Sequence, residues 1–157
     1  MATFTTPTRV GTSNNTIQGV TNSSLRYTQQ LGIYTFNTTA STPLYMHFKT
    51  NIDSNANKII TFEAVGYNYG QALPIRCSWS TYTAGGTLYD RGRVNKASGL
   101  SADGMYLSSD NYLVLRAYSG SHYYTGWVFN AYVSSYYYTD DIQITAAVQN
   151  STSGNHY

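Results

Sequence analysis

The side chains that most often carry chemistry in proteins are few in this chain, and they stand far apart. The three histidines are His47, His122 and His156, and none belongs to a cluster with the spacing of a zinc site. Cys77 is the only cysteine, so no intramolecular disulfide can form. Its place in an alternating apolar run predicts a buried thiol that packs as a small apolar group, not a nucleophile. We therefore predict no metal site and no cofactor.

The carboxylates give little support for acid–base catalysis. Hydrolysis of a glycosidic bond needs two carboxyl groups that face each other across a groove. Glu63 with Asp140 or Asp141 could form such a pair in some topologies, although nothing in their spacing requires it. Residues 53–57 begin like a calcium-binding loop, but Lys58 stands where that loop needs glycine, so we expect a hairpin turn. No phosphate-binding loop or nucleophile elbow occurs, and we predict that the chain is not an enzyme.

Tyrosine is the residue type that distinguishes this chain, with 17 of 157 residues. Neighbouring residues on a strand face opposite sides, so consecutive tyrosines cannot all point into one core. Some of these rings must cover the surface, pack between subunits or stack on a ligand, and the sequence leaves these alternatives open. Aromatic rings beside Asp and Asn are suited to stacking on sugars. The predicted ligand-binding residues are His122, Tyr123, Tyr124, Tyr136, Tyr137 and Tyr138.

Charge and hydropathy exclude two broad classes of partner. Charged residues make up 10% of the chain, against about 25% in typical soluble domains, and the net charge is only +2. That charge is too small to indicate nucleic-acid binding, and we interpret Arg91, Arg93 and Lys96 as a solvated strand end. The first residues lack the apolar core of a signal peptide, and no stretch approaches the ~20 apolar residues of a membrane helix. We predict neither nucleic-acid binding nor membrane insertion.

The elements that must position these residues are strands. From Lys58 to Tyr82 the chain shows two alternating runs separated by glycine, asparagine and proline. The same period of two recurs along the chain, and no segment shows a helical stripe. The side chains predicted to face the core of this central pair are Ile60, Phe62, Ala64, Ile75, Cys77 and Trp79.

Eight or nine short strands with frequent turn signals are typical of an all-β fold. We predict an antiparallel β-sandwich of jelly-roll type. Residues 1–28 are predicted to form an extended N-terminal arm, and residues 29–157 a single β-sandwich domain. A loop is expected over 96–104, and Ile142, Ile144, Ala146 and Val148 are expected to face the core. Strands are predicted within 31–36, 44–49, 58–65, 75–82, 87–94, 112–118, 127–133 and 141–149.

Four segments carry a resemblance to a known family. They are YMHFKTNI (45–52), FEAVGYNYGQALPI (62–75), SADGMYLSSDNYLVLRA (101–117) and SHYYTGWVFNAYV (121–133). Their order of polar loop, apolar strand and tyrosine-rich hairpin resembles the β-rich terminal domains of bacteriophage tail fibres, including those of phages of cyanobacteria and other marine bacteria. The resemblance covers about residues 31 to 148.

The resemblance implies a homotrimeric virion protein, assembled in the host cytoplasm with other virion proteins. Such a module often meets the host surface, so host surface polysaccharide is the expected ligand. Tail fibres carry a shaft or an anchoring domain before this module, whereas only residues 1–30 precede it here. The alternative is therefore a capsid decoration, or cement, protein whose N-terminal arm lies on the phage head.

Overall fold

The computed structural model describes residues 8–10, 25–40, 44–68, 73–95, 100–119, 122–135, 142–150 and 153–157. Every regular element in these residues is a β-strand. The strands are β1 (Thr8–Val10), β2 (Leu25–Ala40), β3 (Leu44–Asp53), β4 (Lys58–Asn68), β5 (Leu73–Ala84), β6 (Thr87–Asn95), β7 (Leu100–Leu107), β8 (Tyr112–Ser119), β9 (His122–Ser135) and β10 (Ile144–Asn150).

The strands form two antiparallel sheets that pack as a sandwich. The six-stranded sheet has the order β1-β2-β9-β4-β5-β6, and the four-stranded sheet has the order β10-β3-β8-β7. Among the described strands the chain passes five times from one sheet to the other. Two of these crossings, β2 to β3 and β8 to β9, lie side by side, because β2 pairs with β9 and β3 pairs with β8. This nesting is jelly-roll-like, whereas β4, β5 and β6 form a simple meander. The predicted antiparallel β-sandwich is confirmed.

The core lies between the two sheets and consists of every second residue of their strands. Phe62, Trp79 and Phe129 come from the six-stranded sheet, and Phe48 and Leu115 come from the four-stranded sheet. All five are fully buried. The rings of Phe48 and Phe129 meet across the sandwich with centroids 4.8 Å apart, in an edge-to-face arrangement. Period-two alternation thus places one face of each sheet in the core, as the sequence predicts.

Two turns show why the chain reverses where it does. Gly85 and Gly86 have φ of 55° and 75° and join β5 to β6, and two positive φ values give the turn whose twist matches a hairpin. Between β3 and β4, the Asn55 amide donates to Asp53 Oδ1 at 2.7 Å, and Asn57 has φ of 51°. A turn occurs at 53–57 as expected, but it is not a hairpin, because it joins β3 and β4, which belong to different sheets and do not pair.

The predicted loop over 96–104 is wrong in its second half. Strand β7 begins at Leu100, while residues 96–99 lie outside the described residues. Ala102 and Met105 are buried, and the register of β7 with β8 shifts between Ala102 and Gly104. A β-bulge at Asp103 explains the error, because Asp and Gly inside a strand give the same signal as a loop.

A second bulge changes which side chains of β10 face the core. Ile144 packs against the core as predicted, but the register shifts between Ile144 and Ala146. Ala147 then lies opposite core-facing Phe48 and packs against the core, whereas Ala146 and Val148 fall on the other face. The prediction for Ala146 and Val148 is wrong, because one extra residue in a strand inverts all the positions that follow it.

Strand β2 is longer than the predicted strand over 31–36, and it begins within the predicted arm. It runs from Leu25 to Ala40, and the short strand β1 pairs with it in an antiparallel register that sets Thr8 opposite Gln30. Residues 1–7 and 11–24 of the arm lie outside the described residues. The described part of the arm therefore forms one edge of the six-stranded sheet.

Candidate functional site

The predicted ligand-binding residues fall into two groups around strand β9. His122, Tyr123 and Tyr124 open β9, where His122 pairs with Ala40 and Tyr123 with Thr39 of β2. The side chains of this first group, and the whole of Tyr136–Tyr138, lie outside the described residues. The predicted roles of all six residues therefore stay predictions.

The length of β9 nevertheless separates the two groups along the chain. At about 3.3 Å per residue, the strand between Tyr124 and Ser135 spans roughly 35 Å. Ser135 is bonded directly to Tyr136, so the second group begins at the end of β9 opposite to the first. The described length of β9 thus lies between Tyr124 and the residue that precedes the second group.

Four exposed apolar side chains lie on the outer side of the middle strands of the six-stranded sheet. Ile59, Val65 and Tyr67 of β4 and Tyr132 of β9 point away from the core, because they alternate with core-facing neighbours. Ile59 is 59% exposed and Tyr67 is 54% exposed. We call this surface, defined by Ile59, Val65, Tyr67 and Tyr132, the outer apolar face. Exposed apolar groups gathered on one sheet face are typical of a contact with another macromolecule.

A small polar network interrupts the outer apolar face. Arg76 Nε donates to Glu63 Oε1 at 2.9 Å, and the Tyr132 hydroxyl donates to Glu63 Oε2 at 3.2 Å. Burial, and then the Glu63 carboxylate, raise the pKa of Tyr132, so its hydroxyl stays protonated and remains a donor. Both oxygens of Glu63 thus accept hydrogen bonds. The expected carboxylate partners, Asp140 and Asp141, lie outside the described residues.

Cys77 lies beneath a shallow cavity but is not available for chemistry. The cavity has a volume of about 270 Å³ and is also lined by Glu63, Arg76, Ser78 and Val94. The Cys77 side chain is only 1% exposed, and burial raises the pKa of its thiol to about 12. A thiol of this kind is protonated at neutral pH and is a poor nucleophile. The predicted buried cysteine is confirmed.

The basic residues of β6 line a second cleft, which the sequence did not indicate. Arg91 and Arg93 are exposed, and Lys96 lies outside the described residues. Side chains from the neighbouring strands β7 and β8 complete the cleft, whose volume is about 340 Å³. We call it the arginine cleft. Its lining consists of Arg91, Arg93, Asp103, Gly104, Met105 and Arg116.

The C-terminal residues cover a histidine that would otherwise face solvent. His47 alternates with core-facing Met46 and Phe48, yet it is fully buried. Its Nδ1 lies 2.9 Å from the Tyr106 hydroxyl, which also accepts a hydrogen bond from the His156 backbone amide at 3.0 Å. This segment is therefore tied to the outer side of the four-stranded sheet.

The same arrangement brings two of the three histidines together. The rings of His47 and His156 lie 5.8 Å apart, between centroids. Among the described residues, no three His, Cys, Asp or Glu side chains converge in a way that could hold a metal ion. Within the same residues, no helix long and apolar enough to cross a membrane occurs.

Comparison with protein-family models, with curated proteins and with solved structures found no match to this chain. The chemistry of the described surfaces is therefore the basis for inferring a function. The outer apolar face offers rigid rings and aliphatic groups, and the arginine cleft offers guanidinium donors. Both are suited to recognition of other molecules.

Proposed function

We propose that this chain is a non-catalytic structural protein of a bacteriophage virion, a tail-fibre-like module that binds host surface glycans. The supporting observation is strand β9 of the antiparallel sandwich, which begins with His122, Tyr123 and Tyr124 and is followed in the sequence by Tyr136–Tyr138. Jelly-roll sandwiches are a common architecture of virion and sugar-binding domains. The resemblance of residues 31–148 to tail-fibre terminal domains points the same way.

In this proposal the protein is a homotrimer that assembles through the outer apolar face. Ile59 and Tyr67 would be covered by a second copy of the chain, because a monomer would leave both more than half exposed. The Glu63–Arg76 pair gives this face a polar contact that fixes the orientation of the copies. Ile59 lies opposite Ser134 and Tyr67 lies opposite Gly126, so this interface would run along β9 between the two tyrosine groups of the sequence. The face would then serve assembly, and the ends of β9 would serve host contact.

The trimer is tested by sedimentation equilibrium of the purified protein at micromolar concentration. We expect a trimer, and we expect the double variant Ile59→Lys and Tyr67→Lys to dissociate, because it places charges in the interface. Ser109→Lys is the control, because it adds a charge at an exposed turn of the four-stranded sheet, away from the outer apolar face. A monomeric unmodified protein would contradict the proposed assembly.

Host binding is tested by attachment of the purified protein to host cells. We compare unmodified protein with two sets of Tyr→Ala changes, one at Tyr123 and Tyr124 and one at Tyr136–Tyr138. Loss of a single stacking contact should weaken binding about five-fold. Because β9 separates the groups, we expect one set to weaken attachment and the other to leave it nearly unchanged. Attachment that neither set changes would refute the tyrosine site.

The alternative function is capsid decoration, and one observation favours it. Strand β1, from the predicted arm, ends the six-stranded sheet, and an edge strand can accept a further strand from another protein. A shell protein could bind the module in this way. Electron cryomicroscopy of the particle separates the two functions, because density on the icosahedral shell indicates a cement protein and density at the tail indicates a fibre-like module.

A further inference from the structure

We propose that the arginine cleft binds an oxyanion carried by an acidic polysaccharide, either the carboxylate of a uronic acid or a sulfate ester. This inference rests on the proposed function as a glycan-binding module, and it names the class of glycan. It also places that contact away from the tyrosine groups at the ends of β9.

The cleft lies where the edge strands of the two sheets meet. Strand β6 ends the six-stranded sheet, and β7 ends the four-stranded sheet. Arg93 pairs with core-facing Trp79, so its side chain lies on the inner side of its sheet, at the open edge of the sandwich. The volume of about 340 Å³ is at the lower end of the ~300–1,000 Å³ of small-molecule sites. A sugar residue or a similar group is therefore of the right size.

Arg116 forms a fixed wall of the cleft. Its Nε donates to Asp103 Oδ2 at 2.5 Å, and its Nη1 donates to the carbonyl of Ser153. Its guanidinium carbon lies 5.9 Å from the centre of the Tyr45 ring. A Cβ on Gly104 would stand 3.2 Å from Arg116 Nη2, so glycine leaves the guanidinium room above β7. Donors held in place in this way lose little entropy when a ligand binds.

The described lining of the cleft carries a net positive charge, which favours binding of an anion. This lining contains three arginines and one aspartate, a formal net charge of +2. Asp103 is paired with Arg116, and among the described residues neither Arg91 nor Arg93 forms an ion pair. A guanidinium can bind a carboxylate or sulfate with two parallel hydrogen bonds. Arg91 and Arg93 are therefore the residues that would contact the ligand, while Arg116 holds the third charge in place.

An inward-pointing charge on an edge strand also has a simpler role, since it prevents pairing between edges of different molecules. Arg93 alone would satisfy that role. It does not explain why Arg116, which comes from the other sheet, is held beside Arg93 by Asp103 and the C-terminal segment. Guanidinium groups from both sheets line the same cleft, and this arrangement suits a bound anion.

The experiment is isothermal titration calorimetry of the purified full-length protein at physiological ionic strength. The probes are oligogalacturonate, dextran sulfate and neutral dextran. We expect binding of an anionic probe and none of neutral dextran. Arg93→Gln should weaken binding about ten-fold or more, since hydrogen bonds to charged groups are the strong ones. Arg91→Gln should act in the same direction.

Arg9→Gln is the matched control, because it removes the same charge from β1, at the opposite edge of the same sheet from β6. An equal effect of Arg9→Gln and Arg93→Gln would show only general attraction and would overturn the site. Binding of oligogalacturonate alone identifies a uronic acid, and binding of dextran sulfate alone identifies a sulfate ester.

The results also separate this inference from the proposed function. If neither anionic probe binds while the protein still attaches to host cells, the inference fails and the proposed function stands. If the probes bind through Arg93 but the protein does not attach to host cells, the inference stands and the host-binding function fails.

Discussion

Truncation of Phe129 is the most direct test of how the two sheets are joined. Phe129 lies on β9, is fully buried and meets Phe48 of the opposite sheet with ring centroids 4.8 Å apart. It also lies 6.4 Å from the ring of Trp79. Phe129→Ala removes these contacts from both sides of the core at once. We expect a large loss in the free energy of unfolding, with the fold retained.

The size of the loss follows from burial and from the cavity left behind. Phe→Ala substitutions at fully buried sites lower the free energy of unfolding by about 3–5 kcal/mol. We expect a loss in this range for Phe129→Ala, because both sheets enclose the ring. For a chain of this length, a loss of that size lowers the melting temperature by roughly 6–20 °C. The change is a large part of the ~5–15 kcal/mol that stabilises a typical domain.

The measurement is urea unfolding at one fixed protein concentration, because an oligomer gains stability with concentration. Gln143→Ala is the control, since Gln143 is exposed and lies outside the outer apolar face. It should cost less than about 1 kcal/mol. A double-mutant cycle with Phe48→Ala should give a coupling of about 0.5–1.5 kcal/mol. Equal costs for Phe129→Ala and Gln143→Ala would refute the packing of β9 on β3.

Two further predictions concern buried polar groups. Burial raises the pKa of the Cys77 thiol from 9.0 to about 12. Between these two pH values the thiol ionises in the unfolded chain and stays protonated in the folded one. The free energy of unfolding should therefore fall as the pH rises from 9. Burial also raises the pKa of Tyr132 and of Tyr157, which add to this slope. Urea unfolding should therefore show a shallower slope for Cys77→Ala than for the unmodified protein, and equal slopes would contradict the prediction. Tyr106→Phe removes the acceptor of the His156 amide and should cost about 1–3 kcal/mol, with faster hydrogen exchange at residue 156. Tyr89→Phe, at an exposed site, is the control, and unchanged exchange in Tyr106→Phe would refute the contact.

The sandwich itself could be predicted because the sequence signals for its strands and turns lie within short stretches of the chain. A period of two in hydrophobicity shows which face of a strand is buried, and Phe62 and Trp79 follow it without interruption. Two-residue turns are also local, since Gly85 and Gly86 tolerate the positive φ that the hairpin needs. Neither feature depends on which strands are neighbours.

The errors lie where the structure depends on the partner strand. The bulges at Asp103 and near Thr145 are defined by the strand opposite, and a single sequence does not contain that pairing. The burial of His47 could not be predicted either, because the segment that covers it lies more than a hundred positions away in sequence. The arginine cleft also needs the topology, since Arg93 and Arg116 become neighbours only when β6 and β7 lie side by side.

The two proposed surfaces can be separated because they lie on opposite sides of one sheet. Arg93 is on the core side of the six-stranded sheet at its β6 edge, whereas Ile59 and Tyr67 are on its outer side. A trimer that covers the outer apolar face therefore leaves the arginine cleft open, and three copies would present three clefts to one polysaccharide chain. Linked sites raise avidity without any new contact. An acidic polymer long enough to reach two clefts should thus bind the trimer more tightly than a short oligomer does, whereas a monomeric variant should bind both alike per saccharide unit.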